Sequence, residues 1–419
     1  MHHFIYQDDE LYCEDVPVQK IAAEIGTPFY LYSHATLKRH VEAFSEAFAG
    51  MQKLICFSAK ANTNLAILKL FAASGCGLDI VSGGELYRGI QAGFTPDRIV
   101  YSGVGKRVDE IDYALNSDIL MFNLESLDEL KLINQRAAVL NQRARIAIRV
   151  NPDVDPKTHP YISTGLKKNK FGIDTAAAFE GYRLADSLEN IEVIGIDCHI
   201  GSQITEAGPF EDALKSIKTL VRQLKGELGI QIRYIDMGGG LGITYADETP
   251  PSLEEYANAF SKNLEGMGLT LILEPGRVLV GNAGVLVTRV LYTKGGAGKN
   301  FVIVDAGMND LMRPTLYNAF HAIQPVVRRQ GPLTVADVVG PICESGDFLA
   351  IDRNLTAAKT DDLLAVMSTG AYGFVMSSNY CSRPRVAEVM VKNDQFHIVK
   401  ERETYQDLVK GESIPPFMA

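Results

Sequence analysis

Between residues 54 and 277 the chain repeats one unit eight times: a short apolar run rich in β-branched residues, a polar or glycine-containing loop, and an amphipathic stretch. The apolar runs are 54–60, 77–85, 98–103, 119–126, 145–152, 193–202, 234–240 and 269–277. Strands that alternate with helices predict a parallel sheet covered by helices. Eight such units are typical of a (β/α)8 barrel, known as a TIM barrel. A doubly wound open sheet is the alternative, and it is disfavoured because no glycine-rich turn follows the first strand.

A different pattern begins after about residue 281, where apolar segments follow one another without helices between them. These segments are 284–295, 301–307, 333–340, 363–373 and 385–399. Runs of strands without helices predict an all-β domain. The N-terminal segments 4–16 and 28–33 are also strand-like, so we expect them to pair with this C-terminal sheet. We therefore predict a barrel domain over 34–281 and a sandwich- or barrel-like β domain formed by 1–33 with 282–419.

Composition excludes several classes of protein. The chain is 46% apolar and 22% charged, the balance of a soluble globular protein, and its net charge of −10 includes no basic stripe for nucleic acid. Its 6 cysteines show neither CxxC pairs nor zinc-ligand spacing, which predicts reduced thiols and no metal site. The N-terminus lacks the features of a signal peptide, and charges interrupt the apolar stretch 269–287. We expect a cytoplasmic protein without membrane or nucleic-acid partners.

Reactive side chains stand where the predicted barrel strands end. They are Lys60, Asp79, Ser82, Arg149, His199, Ser202, Gly238, Gly239, Gly240, Glu274 and Arg277. In a (β/α)8 barrel these strand ends meet at one mouth, where the active site lies. Each residue alone has an ordinary structural explanation, such as a solvated rim lysine, a tight glycine turn, a Glu–Arg ion pair or a core histidine. Their convergence predicts an active site.

The types of side chain at this mouth suit a phosphate-bearing cofactor with an aldehyde and a pyridine ring. Lys60 could form a Schiff base, and the glycine run 237–242 could let backbone N–H groups approach a phosphate. Glu274 could keep a ring nitrogen protonated, while Arg277 could grip a carboxylate. His199 could stack on the ring, with Asp79 either orienting that histidine or serving the structure alone.

Three motifs of the predicted β domain carry further candidates. Cys343 and Glu344 place a thiol beside a carboxylate, in a segment whose Ser, Gly and Asp are also typical of an ordinary turn. Arg313 and Tyr317 share the segment RPTLY, and Tyr372 lies in a glycine-flanked loop. None of these motifs identifies a site without the others.

Taken together, the motifs FSAKAN, HIGSQI, DMGGGLG, EPGR, CESGD and GAYG resemble those of the fold-type III pyridoxal-phosphate decarboxylases, and most of all the diaminopimelate decarboxylases. The resemblance extends over nearly the whole chain, in the same order. It implies pyridoxal 5'-phosphate as the cofactor, bound covalently by Lys60. The cofactor-binding residues that it implies are Lys60, Asp79, Arg149, His199, Ser202, Gly239, Gly240, Glu274, Gly276, Arg277 and Tyr372.

The resemblance also implies a substrate site and a dimer. Arg277, Arg313 and Tyr317 would hold the distal carboxylate of the substrate, with Tyr372 beside it, and Glu344 would hold the distal ammonium group. Cys343 would be the proton donor, delivered from the partner subunit of a head-to-tail homodimer whose active sites lie at the interface.

The reaction implied is decarboxylation of meso-2,6-diaminopimelate to L-lysine and carbon dioxide, the last step of bacterial lysine biosynthesis. A distal end that bears both a carboxylate and an ammonium group needs a cation and an anion opposite it, which Arg313 and Glu344 provide. A decarboxylase of ornithine, lysine or carboxynorspermidine on the same fold is the alternative. An amino-acid racemase would need a tyrosine base where Cys343 stands, and a non-catalytic homologue would have no need of Lys60, Glu274 and Cys343 together.

Overall fold

The computed structural model describes residues 2–155, 170–296 and 298–418, which separate into two compact units. One unit consists of residues 1–37 together with 280–419, and the other of residues 38–279. The chain begins with β1 (Phe4–Gln7), β2 (Glu10–Cys13), β3 (Val16–Pro17), α1 (Val18–Ile25), β4 (Phe29–Ser33) and α2 (His34–Ala47).

The larger unit alternates strands with helices. Its elements are β5 (Lys53–Ser58), α3 (Leu65–Ala73), β6 (Gly77–Ile80), α4 (Gly83–Ala92), β7 (Ile99–Tyr101), α5 (Val108–Asn116), β8 (Met121–Leu124), α6 (Leu127–Val139), β9 (Ala144–Asn151), β10 (Ile173–Asp174), α7 (Thr175–Ser187), β11 (Ile191–Asp197), α8 (Gly208–Gln223), β12 (Tyr234–Asp236), α9 (Leu253–Leu264), β13 (Thr270–Leu273) and α10 (Arg277–Val280).

Eight parallel strands of this unit close on themselves, which confirms the predicted (β/α)8 barrel. The order around the barrel is β5, β6, β7, β8, β9, β11, β12 and β13, and β13 pairs with β5. The two-residue strand β10 joins β9 outside the ring. Inside, the apolar side chains of Leu54, Val100, Met121, Ala147 and Ile272 form a buried cluster. Because this core fills the barrel, polar side chains collect at its carboxyl-terminal mouth.

Several helices of the barrel begin at a side chain that caps them. The hydroxyl of Ser82 accepts a hydrogen bond from the N–H of Glu85 at 3.2 Å, and Ser126 does the same for Glu129 at the start of α6. Such caps satisfy N–H groups that have no partner within the helix. Ser82, one of the strand-end candidates, thus has a structural role as the cap of α4.

The second unit continues with strands. They are β14 (Gly284–Gly296), β15 (Lys299–Val304), β16 (Ile323–Pro325), β17 (Leu333–Val339), β18 (Phe348–Thr356), β19 (Leu363–Val366), β20 (Ala387–Lys392) and β21 (Gln395–Lys400), with the short helices α11 (Arg313–Tyr317) and α12 (Tyr405–Leu408). The unit is therefore mainly β, as predicted.

The N-terminal strands divide between two sheets of this unit. Strand β4 lies inside the larger sheet, antiparallel to β14 and parallel to β20, as expected. Strands β1, β2 and β3 instead form a three-stranded sheet of their own. Their side chains Phe4 and Leu11 are buried in one cluster with Val285 and Val389 of the larger sheet. The expected pairing is therefore right for β4. For β1–β3 it is reduced, among the described residues, to one antiparallel bridge, Glu10 opposite Val327, which adds to the side-chain packing.

In the part of the chain that the structure describes, every helix is too short or too polar to cross a membrane.

Candidate active site

Lys60 lies directly after β5, where a single helical turn, Ala59–Ala61, leaves the strand. Its Nζ is 2.9 Å from Oδ2 of Asp79, which is buried at the end of β6. The hydroxyl of Ser58 donates to the same oxygen at 2.7 Å. The lysine side chain keeps about a third of its surface exposed (36%), so its amine is both oriented by an anion and open to a reactant.

A second group of polar side chains forms a hydrogen-bonded network in the barrel mouth. The Nδ2 of Asn123 donates to Oδ2 of Asp236 and to Oγ of Ser102, each at 3.1 Å. The hydroxyl of Ser102 donates to Oε1 of Glu274 at 3.4 Å, and Glu274 follows β13, the strand next to that of Asp236. These four residues come from the ends of four strands, and all are buried.

Burial and like charge raise the pKa values of these carboxyl groups. The pKa of Asp236 rises to about 6, chiefly because of desolvation. The pKa of Glu274 rises well above its ordinary value, first through desolvation and then through the charges of Asp236, Asp79 and Asp197. A cation placed beside Glu274 would act in the opposite direction and favour its ionised form.

His199 is held as a neutral imidazole at the same mouth. Its Nδ1 accepts a hydrogen bond from the N–H of Gly239 at 3.2 Å, so the ring proton of the neutral form sits on Nε2. Its pKa lies well below the ordinary value because the ring is buried and because the cations Arg149 and Lys60 are near. A neutral, oriented ring is suited to stacking on another ring.

Arg277 links three loops of the mouth. Its guanidinium donates to the hydroxyl of Ser202 at 3.0 Å and to that of Tyr245 at 2.7 Å. The glycine run that passes beside it cannot accept side chains: a Cβ on Gly239 would lie 2.2 Å from the carbonyl oxygen of Glu274, and Gly240 has a φ of +117°. The 274–277 turn therefore packs directly against the backbone of the glycine run. Gly276 lies immediately before the short helix α10.

Arg149 is a buried cation whose charge is balanced within the barrel. Its Nη1 lies 2.7 Å from Glu125, its Nε lies 4.0 Å from Asp197, and its Nη2 donates to the carbonyl oxygen of His199 at 3.3 Å. Arg149 thus fixes the backbone that carries His199.

The remaining sequence-predicted residues lie in the other unit. Arg313 begins α11 and is buried, with its Nη1 2.7 Å from Nε2 of His321. The Nδ1 of His321 lies 2.8 Å from the carbonyl oxygen of Met367 and donates to it, so Nε2 is free of a proton and accepts from Arg313. A neutral histidine thus orients the guanidinium without neutralising its charge.

Cys343 and Glu344 occupy an exposed loop, and the structure ties this loop to the segment that carries Arg313. The carboxylate of Asp347 accepts from the backbone N–H groups of Met308 and Ile342, both at 2.6 Å. The hydroxyl of Thr315 in α11 donates to the carbonyl oxygen of Gly346 at 2.6 Å.

Three phenols accompany these residues. The hydroxyl of Tyr380 donates to Oε2 of Glu344 at 2.7 Å. Tyr317 ends α11 and is half-buried, and Tyr372 has a φ of +56° in its glycine-flanked loop. The structure thus brings Arg313, Tyr317, Cys343 and Glu344 onto two linked segments.

Sequence reasoning missed Ser102, Asn123, Asp236, Tyr245 and His321. The first three stand at the ends of strands three, four and seven, so a search of every strand end for polar residues would have found them. Tyr245 and His321 carry no local signal, because each contacts an arginine in a different segment of the chain, 32 positions from Tyr245 and 8 positions from His321.

The chain is similar to known proteins over its whole length. The pyridoxal-binding domain of the pyridoxal-dependent decarboxylases matches residues 34–281. A diaminopimelate decarboxylase of Pseudomonas aeruginosa is 52% identical over 99% of this chain and 100% of the relative. One of Aquifex aeolicus is 50% identical over 97% of this chain and 96% of the relative.

Solved structures agree with these relatives. The diaminopimelate decarboxylase of Helicobacter pylori, in complex with L-lysine, superposes with a TM-score of 0.91 at 43% identity, covering 94% of this chain and 98% of that one. The enzyme of M. jannaschii, also in complex with L-lysine, gives a TM-score of 0.95 at 38% identity and covers 100% of both chains. The chain therefore belongs to the diaminopimelate decarboxylases, within the pyridoxal-dependent decarboxylase family.

Proposed function

We propose that this protein removes carbon dioxide from meso-2,6-diaminopimelate, gives L-lysine, and uses pyridoxal 5'-phosphate as its cofactor. The observation that carries the proposal is the amine of Lys60, held 2.9 Å from buried Asp79 at the mouth of the barrel. The chain's relatives are named for this activity, and two of their structures hold L-lysine, the product expected here.

The side chains at the barrel mouth fit this cofactor by their chemistry. Lys60 offers an amine for the aldehyde, and Glu274 offers a buried carboxyl group for the ring nitrogen. Ser202, the backbone of Gly240, and the 276–277 turn offer hydrogen-bond donors for the phosphate, beside the positive charge of Arg277, whereas the N–H of Gly239 donates to His199. One oxygen of Asp79, Oδ1, is buried without a hydrogen-bond partner among the described residues, so the mouth can accept a further donor.

When bound, pyridoxal phosphate supplies an electron-withdrawing ring that stabilises the electron pair left on the substrate carbon. Lys60 would hold the cofactor through Nζ. Glu274 would face the ring nitrogen and favour its protonated form, and the neutral His199 would cover the ring without adding a positive charge of its own. The Cα–carboxylate bond breaks, carbon dioxide leaves, and the thiol of Cys343 donates the proton that forms the new Cα–H bond.

Charged side chains select the distal end of the substrate in this proposal. Arg313 and Arg277, with Tyr317, bind the distal carboxylate, Glu344 binds the distal ammonium group, and Tyr372 lies beside them. The hydrogen bond to His321 orients the guanidinium of Arg313. Simple diamino acids lack the distal carboxylate and would not make the ion pair with this arginine, which lowers their binding relative to meso-diaminopimelate.

We also propose that the protein works as a homodimer whose subunits share their active sites, with Cys343 delivered by the partner subunit. Mixing Lys60→Ala with Cys343→Ala protein tests this arrangement, because each mixed dimer would hold one site with both residues intact. Random exchange should restore roughly a quarter of wild-type activity. Sites confined to one subunit would give no recovery.

Two finer assignments complete the proposal. We place the domain boundaries at 34–281 and at 1–33 with 282–419, which limited proteolysis can test. We also propose a cytoplasmic location, which the 6 free cysteines support, because reduced thiols are typical of that compartment.

The deciding experiment measures carbon dioxide release by the purified protein with pyridoxal phosphate, offered meso-diaminopimelate, L-lysine and L-ornithine side by side. Release from meso-diaminopimelate alone, with L-lysine as product, is the expected result. Release from ornithine or lysine would keep the cofactor chemistry and overturn the roles given to Arg313 and Glu344. No release at all would point to a racemase or a non-catalytic protein.

A further inference from the structure

Glu274 and Asp236 form a buried pair of acidic side chains on adjacent strands of the barrel. Both carboxyl groups belong to one hydrogen-bonded network, because Asn123 donates to Asp236 and to Ser102, and Ser102 donates to Glu274. Neither acidic residue is more than 5% exposed. Two ionised carboxylates buried this close together, with no cation between them, would repel each other, so one proton shared by the pair stabilises it.

The donors around the pair decide which member carries that proton. Asp236 accepts hydrogen bonds from the N–H of Gly238 at 2.9 Å and from the amide of Asn123 at 3.1 Å. Glu274 accepts one from Ser102 at 3.4 Å, a long contact. Hydrogen-bond donors stabilise the ionised form of a carboxyl group. Asp236 is therefore the anion of the pair, and Glu274 is the acid.

The surrounding charges reinforce this arrangement. The nearby cations are already engaged, since Lys60 contacts Asp79, and Arg149 lies between Glu125 and Asp197. The other titratable groups that act on the pair are Cys56, Tyr256, Asp79 and Asp197, all buried and none of them cationic. Two adjacent anions without a cation of their own would carry a large desolvation cost in this interior.

We propose that Glu274 and Asp236 store one proton in the cofactor-free protein, carried by Glu274 and held in place by Asp236, Asn123 and Ser102. Asp236 is then a positioning residue: it acts through Glu274 and has no contact with the substrate to make. The same assignment follows from the raised pKa of Glu274 and the smaller rise, to about 6, for Asp236.

The pair has a consequence for cofactor binding, which rests on the proposed function. If Glu274 faces the ring nitrogen of pyridoxal phosphate, it brings the proton that this nitrogen needs. Asp236 is already ionised, so its own protonation state does not change when that proton moves. Removal of the charge of Asp236 lowers the pKa of Glu274, because a like charge beside a carboxyl group disfavours its ionisation. The stored proton is then lost at a lower pH.

Infrared spectroscopy of the cofactor-free protein tests the pair without reference to activity. We expect a carbonyl band of a protonated carboxyl group that disappears in Glu274→Gln. In Asp236→Asn the band should change frequency, because its acceptor is now an amide, and its titration midpoint should fall by about one pH unit or more. Asn123→Leu, which removes a donor from Asp236, is a second variant should Asp236→Asn fail to fold, and it too should shift the band.

Asp197→Asn is the matched control, because Asp197 is another buried carboxyl group of the same strand ends whose charge affects Glu274 less than that of Asp236 does. This variant should leave the Glu274 band at its frequency, and its titration midpoint should fall by less than in Asp236→Asn. Any of three results would overturn the proposal. They are loss of the band in Asp197→Asn, persistence of the band in Glu274→Gln, and an unchanged band and midpoint in both Asp236→Asn and Asn123→Leu.

Calorimetry with pyridoxal phosphate in two buffers of different ionisation enthalpy then tests the link to the cofactor. Above the variant's midpoint and below that of the wild type, Asp236→Asn should take up about one more proton per bound cofactor than the wild type does. The comparison cancels protons exchanged by Lys60 and the phosphate. If the two proteins took up equal numbers of protons while the infrared result held, the shared proton would stand and its transfer to the cofactor ring would be rejected. Failure of the protein to bind pyridoxal phosphate would instead reject the proposed function.

Discussion

Lys60 and Asp79 form an ion pair of unequal partners: the amine is partly open to solvent, whereas the carboxylate is fully buried. Asp79 is further fixed by a hydrogen bond from Ser58, the residue opposite it on the neighbouring strand β5. The anion therefore holds the position of the amine, while the amine remains accessible. This is the arrangement required of a lysine that binds a cofactor reversibly.

Lys60→Ala should abolish the visible absorbance of covalently bound pyridoxal phosphate and lower turnover by roughly 10²-fold or more. The reason is that no other described amine lies against Asp79. Absorbance spectra after dialysis and carbon dioxide release measure the two effects. Lys131→Ala, at an exposed ion pair of α6, is the control and should behave as wild type. Persistence of the visible band in Lys60→Ala would contradict the assignment.

Cys343→Ala should slow turnover by about 10²- to 10⁴-fold, the range for loss of a positioned proton donor, and should keep the cofactor. Single-turnover kinetics and the cofactor spectrum give the two readings. Cys381→Ala is a matched control, because Cys381 is the other exposed cysteine of the chain. Loss of cofactor from Cys343→Ala would instead give the thiol a structural role.

Arg313→Met should weaken the use of meso-diaminopimelate by about 2–5 kcal/mol, the cost of removing one partner of a buried charge pair. This corresponds to roughly 30-fold or more in kcat/KM. His321→Phe should have a smaller effect in the same direction, because it removes the group that orients the guanidinium. Steady-state kinetics measure both, with Arg329→Met at a surface ion pair as control. An unchanged kcat/KM in Arg313→Met would exclude the arginine from substrate binding.

His199 should make the free energy of unfolding depend on pH. Its pKa in the folded protein lies well below 6.5, so the unfolded chain binds a proton that the native state does not. Stability should therefore fall as the pH drops below about 6.5, by up to about 1.4 kcal/mol per pH unit from this group. Urea unfolding at several pH values should show a flatter acid limb for His199→Asn.

The matched control for that experiment is His397→Asn, which changes an exposed histidine of β21. It should keep the slope of the wild type. If His199→Asn and His397→Asn had the same acid limb as the wild type, the imidazole of His199 would titrate alike in the folded and unfolded chains.

The barrel could be predicted from the sequence because each of its eight strands lies in a mainly apolar run, and such runs indicate burial on both faces of a parallel strand. The β unit was predictable for a similar reason, since its strands follow one another without helices. Whether β1–β3 join the larger sheet or form a sheet of their own was not predictable, because apolar residues such as Phe4 and Leu11 fit equally well into either arrangement.

For the site, the sequence by itself determined which reactive groups stand at the strand ends, since Lys60, His199 and Glu274 each follow an apolar run directly. The tertiary structure alone decided their partners. Asp79 faces Lys60 rather than His199 in the contacts of the barrel mouth, His321 faces Arg313, and Asp236 faces Glu274. The physical reason is that hydrogen bonds and charge pairs act over a few ångströms in space, whereas the residues that make them are separated by many positions along the chain.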